Sequence, residues 1–160
     1  MKLSQNDLIW YGRNFTKDNV TYFDYSASGF EFCFTGTKAQ MTILSDSSNW
    51  NEENKGVLGI YVSKINPSDY KGNSLWNDFP EDVTKKIFLN EYENKILLFE
   101  SEKQETVLIR VLKLSECAFG YAGLADLQID GELVKPTQRK DDALNIEFIG
   151  DSITCGYGIE

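Results

Sequence analysis

Hydrophobic and polar positions alternate over short stretches of this 160-residue chain. The clearest stretch is 28–35, where Phe30, Phe32 and Phe34 fall on one face of an extended chain and smaller or polar residues fall on the other. A period of two is typical of a strand that buries one face and exposes the other. This stretch therefore predicts a half-buried β-strand.

Similar alternation, or a short apolar run, recurs along most of the chain. The predicted strands are 20–25, 28–35, 38–44, 57–65, 85–89, 95–99, 105–114 and 123–130. The run 105–114 is the most hydrophobic, as expected for a central strand covered on both faces. No stretch of ten or more residues before position 140 has a helical period. Short strands separated by turn signals predict an all-β fold, an antiparallel β-sandwich of the jelly-roll kind.

Two long loops, 45–56 and 66–82, interrupt the predicted strands. Loops of this length in a compact domain are commonly functional. One interpretation is that Trp50, Trp76 and Tyr70, all in these loops, bind substrate by stacking on sugar rings, since flat aromatic faces suit pyranose rings. The alternative is that these side chains pack back onto the sandwich, as large aromatic residues usually do.

The chain changes character after a linker at 134–142 that contains a proline and a cluster of charges. An apolar strand is predicted at 144–149, and the sequence then continues Gly-Asp-Ser at 150–152. A serine at a sharp turn after a strand occupies the place where α/β enzymes carry reactive groups. Ser152 is therefore a candidate nucleophile whose backbone N–H donates to an oxyanion, and Asp151 is a candidate support for the turn. The alternative is an ordinary helix-capping serine.

The run 146–158 resembles the first motif block of the GDSL or SGNH hydrolases, in the form Gly-Asp-Ser-Ile-Thr-x-Gly-x-Gly. Together with Tyr11-Gly12-Arg13, Phe34-Thr35-Gly36-Thr37 and the run 107–113, it makes the chain similar to carbohydrate esterase family 2. The resemblance implies a jelly-roll domain at 1–142, followed at 143–160 by the first strand and nucleophile turn of an α/β SGNH hydrolase domain. It also implies a serine esterase that removes acetyl groups from plant polysaccharides such as xylan and glucomannan.

Histidine, the commonest general base, is absent from all 160 residues. The catalytic histidine of the resembled family comes from a later block. We therefore expect the 160-residue chain alone to be inactive and its base to lie beyond Glu160. The implied acyl transfer proceeds in two steps and needs no metal and no organic cofactor.

Charge and composition narrow the classes of partner. The chain has 16 Lys and Arg against 25 Asp and Glu, a net charge of −9, which disfavours nucleic acid. No window approaches the roughly 20 apolar residues that a membrane helix needs. The expected partners are an acetylated polysaccharide and the protein's own C-terminal SGNH domain. No signal peptide is visible, and the compartment stays open between cytoplasm and secretion.

A competing hypothesis is a non-catalytic carbohydrate-binding β-sandwich, in which 143–160 is only a tail. The three cysteines do not decide between the two hypotheses. Their odd number and wide spacing argue against a disulfide framework. Cys33 and Cys117 are predicted to be small, buried, reduced side chains.

Overall fold

The fold was analysed in a computed structural model that describes residues 1–46, 55–70 and 83–136. These residues form nine strands and three short 3₁₀ turns and contain no α-helix, which confirms the all-β prediction. The strands are β1 (Ile9–Tyr11), β2 (Asn14–Lys17), β3 (Val20–Phe23), β4 (Gly29–Leu44), β5 (Val57–Lys64), β6 (Lys85–Phe88), β7 (Glu93–Lys113), β8 (Ala122–Ile129) and β9 (Glu132–Val134). Within the described ranges, no helix has the length and hydrophobicity needed to span a membrane.

All pairings are antiparallel, in the order β2-β3-β8-β4-β7-β5-β6, with β1 and β9 also paired to β4. The sheet curls along its two longest strands: β4 changes neighbours on one edge, and β7 pairs with β5 only over its final part. The start of β4 pairs with β1 and β9, whereas its end pairs with β8. The β4–β7 register shifts between Gly36 and Lys38 and again between Ala39 and Gln40. Such bulges bend a strand and increase its twist.

The curl divides the sheet into two halves around one core. The first half-sheet consists of β1, β9, the start of β4, the end of β7, β5 and β6. The second half-sheet consists of β2, β3, β8, the end of β4 and the start of β7. Each half-sheet has an inner face toward the core and an outer face away from it.

The predicted alternation decides which side chains enter the core, but the prediction that 28–35 is only half buried was wrong, because Glu31 and Cys33 on the other face are also 0% exposed. Phe30, Phe32 and Phe34 are fully buried, and their neighbouring ring centroids lie 6.4 and 6.0 Å apart. Met41 and Leu127, from the second half-sheet, belong to the same buried cluster. Burial of one such side chain stabilises a fold by about 1.5–3 kcal/mol, so the period of two accounts for much of the fold's stability.

The predicted strands 95–99 and 105–114 are one continuous strand, β7. The polar residues between them suggested a break. Glu100 pairs with Lys38 of β4, and the β4–β7 register skips 101–104 before pairing resumes at Glu105. The sequence analysis missed β1, β2 and β9, which are only three or four residues long. All four residues of β2 are exposed, so buried and exposed positions do not alternate in this strand.

Two local features tie the ends of strands together. The Asp130 carboxylate accepts the backbone N–H groups of Thr37 and Lys38, both at 2.9 Å, and so fixes the first bulge of β4. At the opposite end of the sheet, the fully buried Lys113 ammonium donates to the carbonyls of Ser115 and Glu116 at 3.2 and 2.6 Å. Burial lowers the pKa of Lys113, and the charge of Asp24 acts against that decrease.

The two described cysteines differ in position. Cys33 is buried in β4, as predicted. The prediction for Cys117 was wrong because this residue begins a 3₁₀ turn at the surface, where its side chain is exposed.

Candidate functional site

Most of the predicted site residues lie outside the described ranges. Ser152 and Asp151 belong to 137–160, while Trp50 and Trp76 belong to 47–54 and 71–82. Their roles stay predictions. Tyr70 is described, and only 3% of it is exposed. Its burial agrees with the alternative that loop aromatics pack back onto the sheet.

Tyr70 packs in a second apolar cluster, on the outer face of the first half-sheet, which we call the outer-face cluster. Cys33 in β4 belongs to it and alternates with the core phenylalanines, so it points away from the main core. The buried members are Cys33, Tyr61, Tyr70, Leu108 and Leu112, and the partly buried members are Ile9, Tyr11, Ile65, Val83, Leu114 and Val134. Outer faces of antiparallel sheets are commonly solvated and polar. This one is apolar.

A buried ion pair lies in the same outer face. Glu31 and Arg110 are directly opposite each other in β4 and β7, and Arg110 Nη2 lies 3.1 Å from Glu31 Oε2. Their side chains are 0% and 3% exposed. Removing two charges from water is costly unless they are paired and hydrogen-bonded. The register of β4 against β7 provides that pairing.

Tyr11 completes the polar group from β1. Its hydroxyl donates to Glu31 Oε2 at 2.5 Å and accepts from Arg110 Nη2 at 3.1 Å. The guanidinium carbon of Arg110 also lies 4.9 Å from the centre of the Tyr11 ring, a cation–π distance. One carboxylate, one guanidinium and one phenol therefore hold three strands in a fixed lateral arrangement.

Burial determines the protonation of the groups around this ion pair. Burial, followed by the hydrogen bond to Glu31, raises the pKa of Tyr11. Burial and the charge of Glu31 raise the pKa of the Cys33 thiol to about 12. Burial is also the main cause of the raised pKa of Tyr70. These groups stay neutral near pH 7, so none of them serves as a nucleophile or a general base at that pH.

Glu31 and Arg110 were missed as candidate residues in the sequence analysis. A signal was available, because each is a charged residue flanked by apolar neighbours in a predicted strand. Arg13 received attention in the motif Tyr11-Gly12-Arg13, but its side chain is exposed. No group of three or more metal-ligating side chains occurs among residues 1–46, 55–70 and 83–136. The arrangement is suited to fixing a surface rather than to chemistry.

Comparison with known proteins gives structural matches only. No family model matches the chain, and no curated protein matches it. A family two carbohydrate esterase from Cellvibrio japonicus matches 98% of this chain at 18% sequence identity, with a TM-score of 0.66. A family two carbohydrate esterase from Clostridium thermocellum, in complex with cellohexaose, matches 94% at 24% identity and a TM-score of 0.66. An acetyl xylan esterase from the rumen bacterium Butyrivibrio proteoclasticus matches 83% at 14% identity and a TM-score of 0.59.

The matched part of each solved structure is smaller than the whole. The chain covers 40% of the Cellvibrio japonicus enzyme, 39% of the Clostridium thermocellum enzyme and 32% of the Butyrivibrio proteoclasticus enzyme. At these identities the likeness shows a shared fold. The resemblance to carbohydrate esterase family 2 is thus confirmed at the level of the fold.

Proposed function

We propose that this chain is the N-terminal part of a serine esterase that removes acetyl groups from plant polysaccharides of the acetylated xylan or glucomannan type. The observation that carries the proposal is the match of nearly the whole chain to family two carbohydrate esterases. The Gly-Asp-Ser-Ile-Thr-x-Gly-x-Gly sequence at 150–158 supports it independently. A shared fold alone does not imply a shared function, so the nucleophile motif matters.

The proposed reaction is acyl transfer in two steps. The Oγ atom of Ser152 attacks the carbonyl carbon of an acetyl ester while a histidine from beyond Glu160 accepts its proton. The negative charge on the carbonyl oxygen is stabilised by the backbone N–H of Ser152, and Asp151 supports the turn that presents it. The histidine passes this proton to the sugar oxygen, which leaves as a hydroxyl group. Water then attacks the acetyl-enzyme, releasing acetate and regenerating the serine.

In this proposal residues 1–142 form a jelly-roll sandwich, and 143–160 begin the SGNH hydrolase domain. The outer-face cluster is the surface that packs against that domain. Its apolar character supports this assignment, since the outer face of an antiparallel sheet that meets only solvent is ordinarily polar. The position of β9 supports it as well, because Val134, at the end of the last strand among the described residues, packs on the cluster.

The buried ion pair gives this interface a defined geometry. Glu31 and Arg110 pair their opposite charges within the sheet. They therefore hold the strands in place without presenting an unpaired charge to the interface. Tyr70 follows the 3₁₀ turn Pro67–Asp69 and holds the loop after β5 against the same cluster. Within the proposal Tyr70 supports this loop, while Trp50 and Trp76 remain the candidates for sugar stacking.

We expect the 160-residue chain to show no esterase activity on its own. It contains Ser152 but no histidine, and a serine hydroxyl without its base is a poor nucleophile near neutral pH. The measurement is turnover of 4-nitrophenyl acetate by the purified chain, with a Ser152→Ala variant as the control. Turnover above that control would show that the chain holds a complete catalytic group, and would contradict the proposal.

A further inference from the structure

A row of aromatic rings crosses the outer face of the second half-sheet, on the side of the core opposite the outer-face cluster. Phe15 in β2 and Tyr22 in β3 are paired across the strands, and their rings stack with centroids 5.1 Å apart and planes at 19°. Tyr121, just before β8, meets Tyr22 edge-on with centroids 5.3 Å apart. Phe15 is 60% exposed. Its free ring face points away from Tyr22, because the stack covers the other face.

The sequence places these rings outside the core by the same alternation that fills the core. Thr21 and Phe23 in β3 are each 1% exposed, so Tyr22 between them points outward. Gly123 of β8 lies opposite Tyr22, and a Cβ atom there would be 2.8 Å from Cε1 of the ring. Because glycine has no side chain, the Tyr22 ring has the space to lie over β8 at this position.

Polar side chains continue this face beyond the rings. Gln40 and Gln128 are opposite each other in β4 and β8, and Gln40 Nε2 donates to Gln128 Oε1 at 3.3 Å. Thr42 and Asp126 form the next outward-facing pair, and Asp126 is bound to Lys2 at 2.9 Å. Thr42 follows buried Met41 in β4, and Asp126 precedes buried Leu127 in β8. The side chains of Thr42 and Asp126 therefore point outward. Amide, hydroxyl and carboxylate groups of this kind bind sugar hydroxyls.

The net charge of the chain narrows the classes of ligand that suit this aromatic face. The net charge of −9 opposes a polyanion such as nucleic acid, and it also opposes a second, equally charged copy of this chain. A neutral polysaccharide meets no such repulsion. Its pyranose rings present C–H faces to aromatic rings and hydroxyls to the surrounding polar groups.

We propose that the row Phe15, Tyr22 and Tyr121 is a binding platform for neutral β-linked plant polysaccharide, separate from the proposed catalytic centre. The choice of a plant polysaccharide rests on the proposed function. The platform does not include Tyr70, which packs in the outer-face cluster. Because it lies across the core from the outer-face cluster, a bound polysaccharide and the hydrolase domain occupy different sides of the sandwich.

The test is binding of the full 160-residue chain to soluble glucomannan, measured by calorimetry and by retardation in glucomannan-containing native gels. We expect binding by the unaltered chain and a loss of affinity of about tenfold or more in Phe15→Ala, as for truncation of an exposed aromatic anchor. Phe15→Trp should retain binding. Phe88→Ala is the matched control, because Phe88 is 51% exposed on β6 in the other half-sheet and should leave binding unchanged.

Three results would overturn this proposal. These are absence of glucomannan binding by the unaltered chain, equal binding by Phe15→Ala, and a loss in Phe88→Ala as large as that in Phe15→Ala. Concentration-dependent self-association that Phe15→Ala abolishes, without any glucomannan binding, would assign the face to a second copy instead. The measurement involves no ester hydrolysis, so failure of the esterase proposal and failure of the platform give different results.

Discussion

Replacing Ser152 with alanine in the protein expressed from its complete reading frame is expected to reduce deacetylation of acetylated glucomannan by roughly 10⁶-fold in kcat. The hydroxyl is the proposed nucleophile, and nucleophile, base and oxyanion donors act as a unit. Removal of the nucleophile therefore removes nearly all the catalysis that the unit supplies. Acetate release at saturating substrate measures the effect.

Ser68→Ala is the matched control for this variant. Ser68 lies in the exposed turn Pro67–Asp69, where its hydroxyl donates to Asp69 at 3.3 Å. We expect the Ser68→Ala variant to release acetate as fast as the unaltered protein. A Ser152→Ala variant that releases acetate as fast as Ser68→Ala would refute the assignment of Ser152.

Replacing Arg110 with alanine is expected to lower the free energy of unfolding of the chain by about 3–5 kcal/mol. The substitution removes the guanidinium both from the buried Glu31 carboxylate and from the Tyr11 ring. Urea denaturation followed by circular dichroism measures the change. If the alanine variant fails to fold, Arg110→Lys provides a milder form of the same test, since it keeps the charge and loses the planar fork.

The control for Arg110 is an ion pair of the same type at the surface. Lys38 and Glu100 lie 2.9 Å apart, and their side chains are 46% and 58% exposed. Lys38→Ala should therefore change stability by no more than about 1 kcal/mol. The double variant Glu31→Met/Arg110→Met should recover most of the stability that Arg110→Ala loses, because apolar residues of similar size replace both charges. Equal, small losses at Arg110 and Lys38 would contradict the role of burial.

The strands that the sequence predicted are those with a regular alternation of residue type or an apolar run, although both faces are buried at 29–34 and at 107–113. In β4 the phenylalanines at 30, 32 and 34 alternate with residues of the opposite face, so the period alone gives both the strand and its inner face. In β2 all residues are exposed and no such contrast exists. The continuity of β7 was also missed, because its two halves are aligned by pairing with β4 on either side of the skipped residues 101–104, a long-range contact.

The nucleophile motif could be recognised in the sequence, whereas the sites formed by strand pairing could not. The motif at 150–158 was recognisable because adjacent residues carry it. Glu31 and Arg110 are 79 positions apart, and only the β4–β7 register brings them together. Likewise Phe15 and Tyr121 belong to one surface because β3 lies between them in the sheet. Sites built by strand pairing need the topology before they can be identified.

Covalent labelling decides whether Ser152 is the nucleophile of an acetyl esterase. The protein from the complete reading frame is treated with a fluorophosphonate, which reacts with activated serines, and the modified peptide is identified by mass spectrometry. We expect one modified serine, Ser152, with loss of acetate release in proportion to labelling. Labelling of a different serine, or full inactivation with Ser152 unmodified, would contradict it.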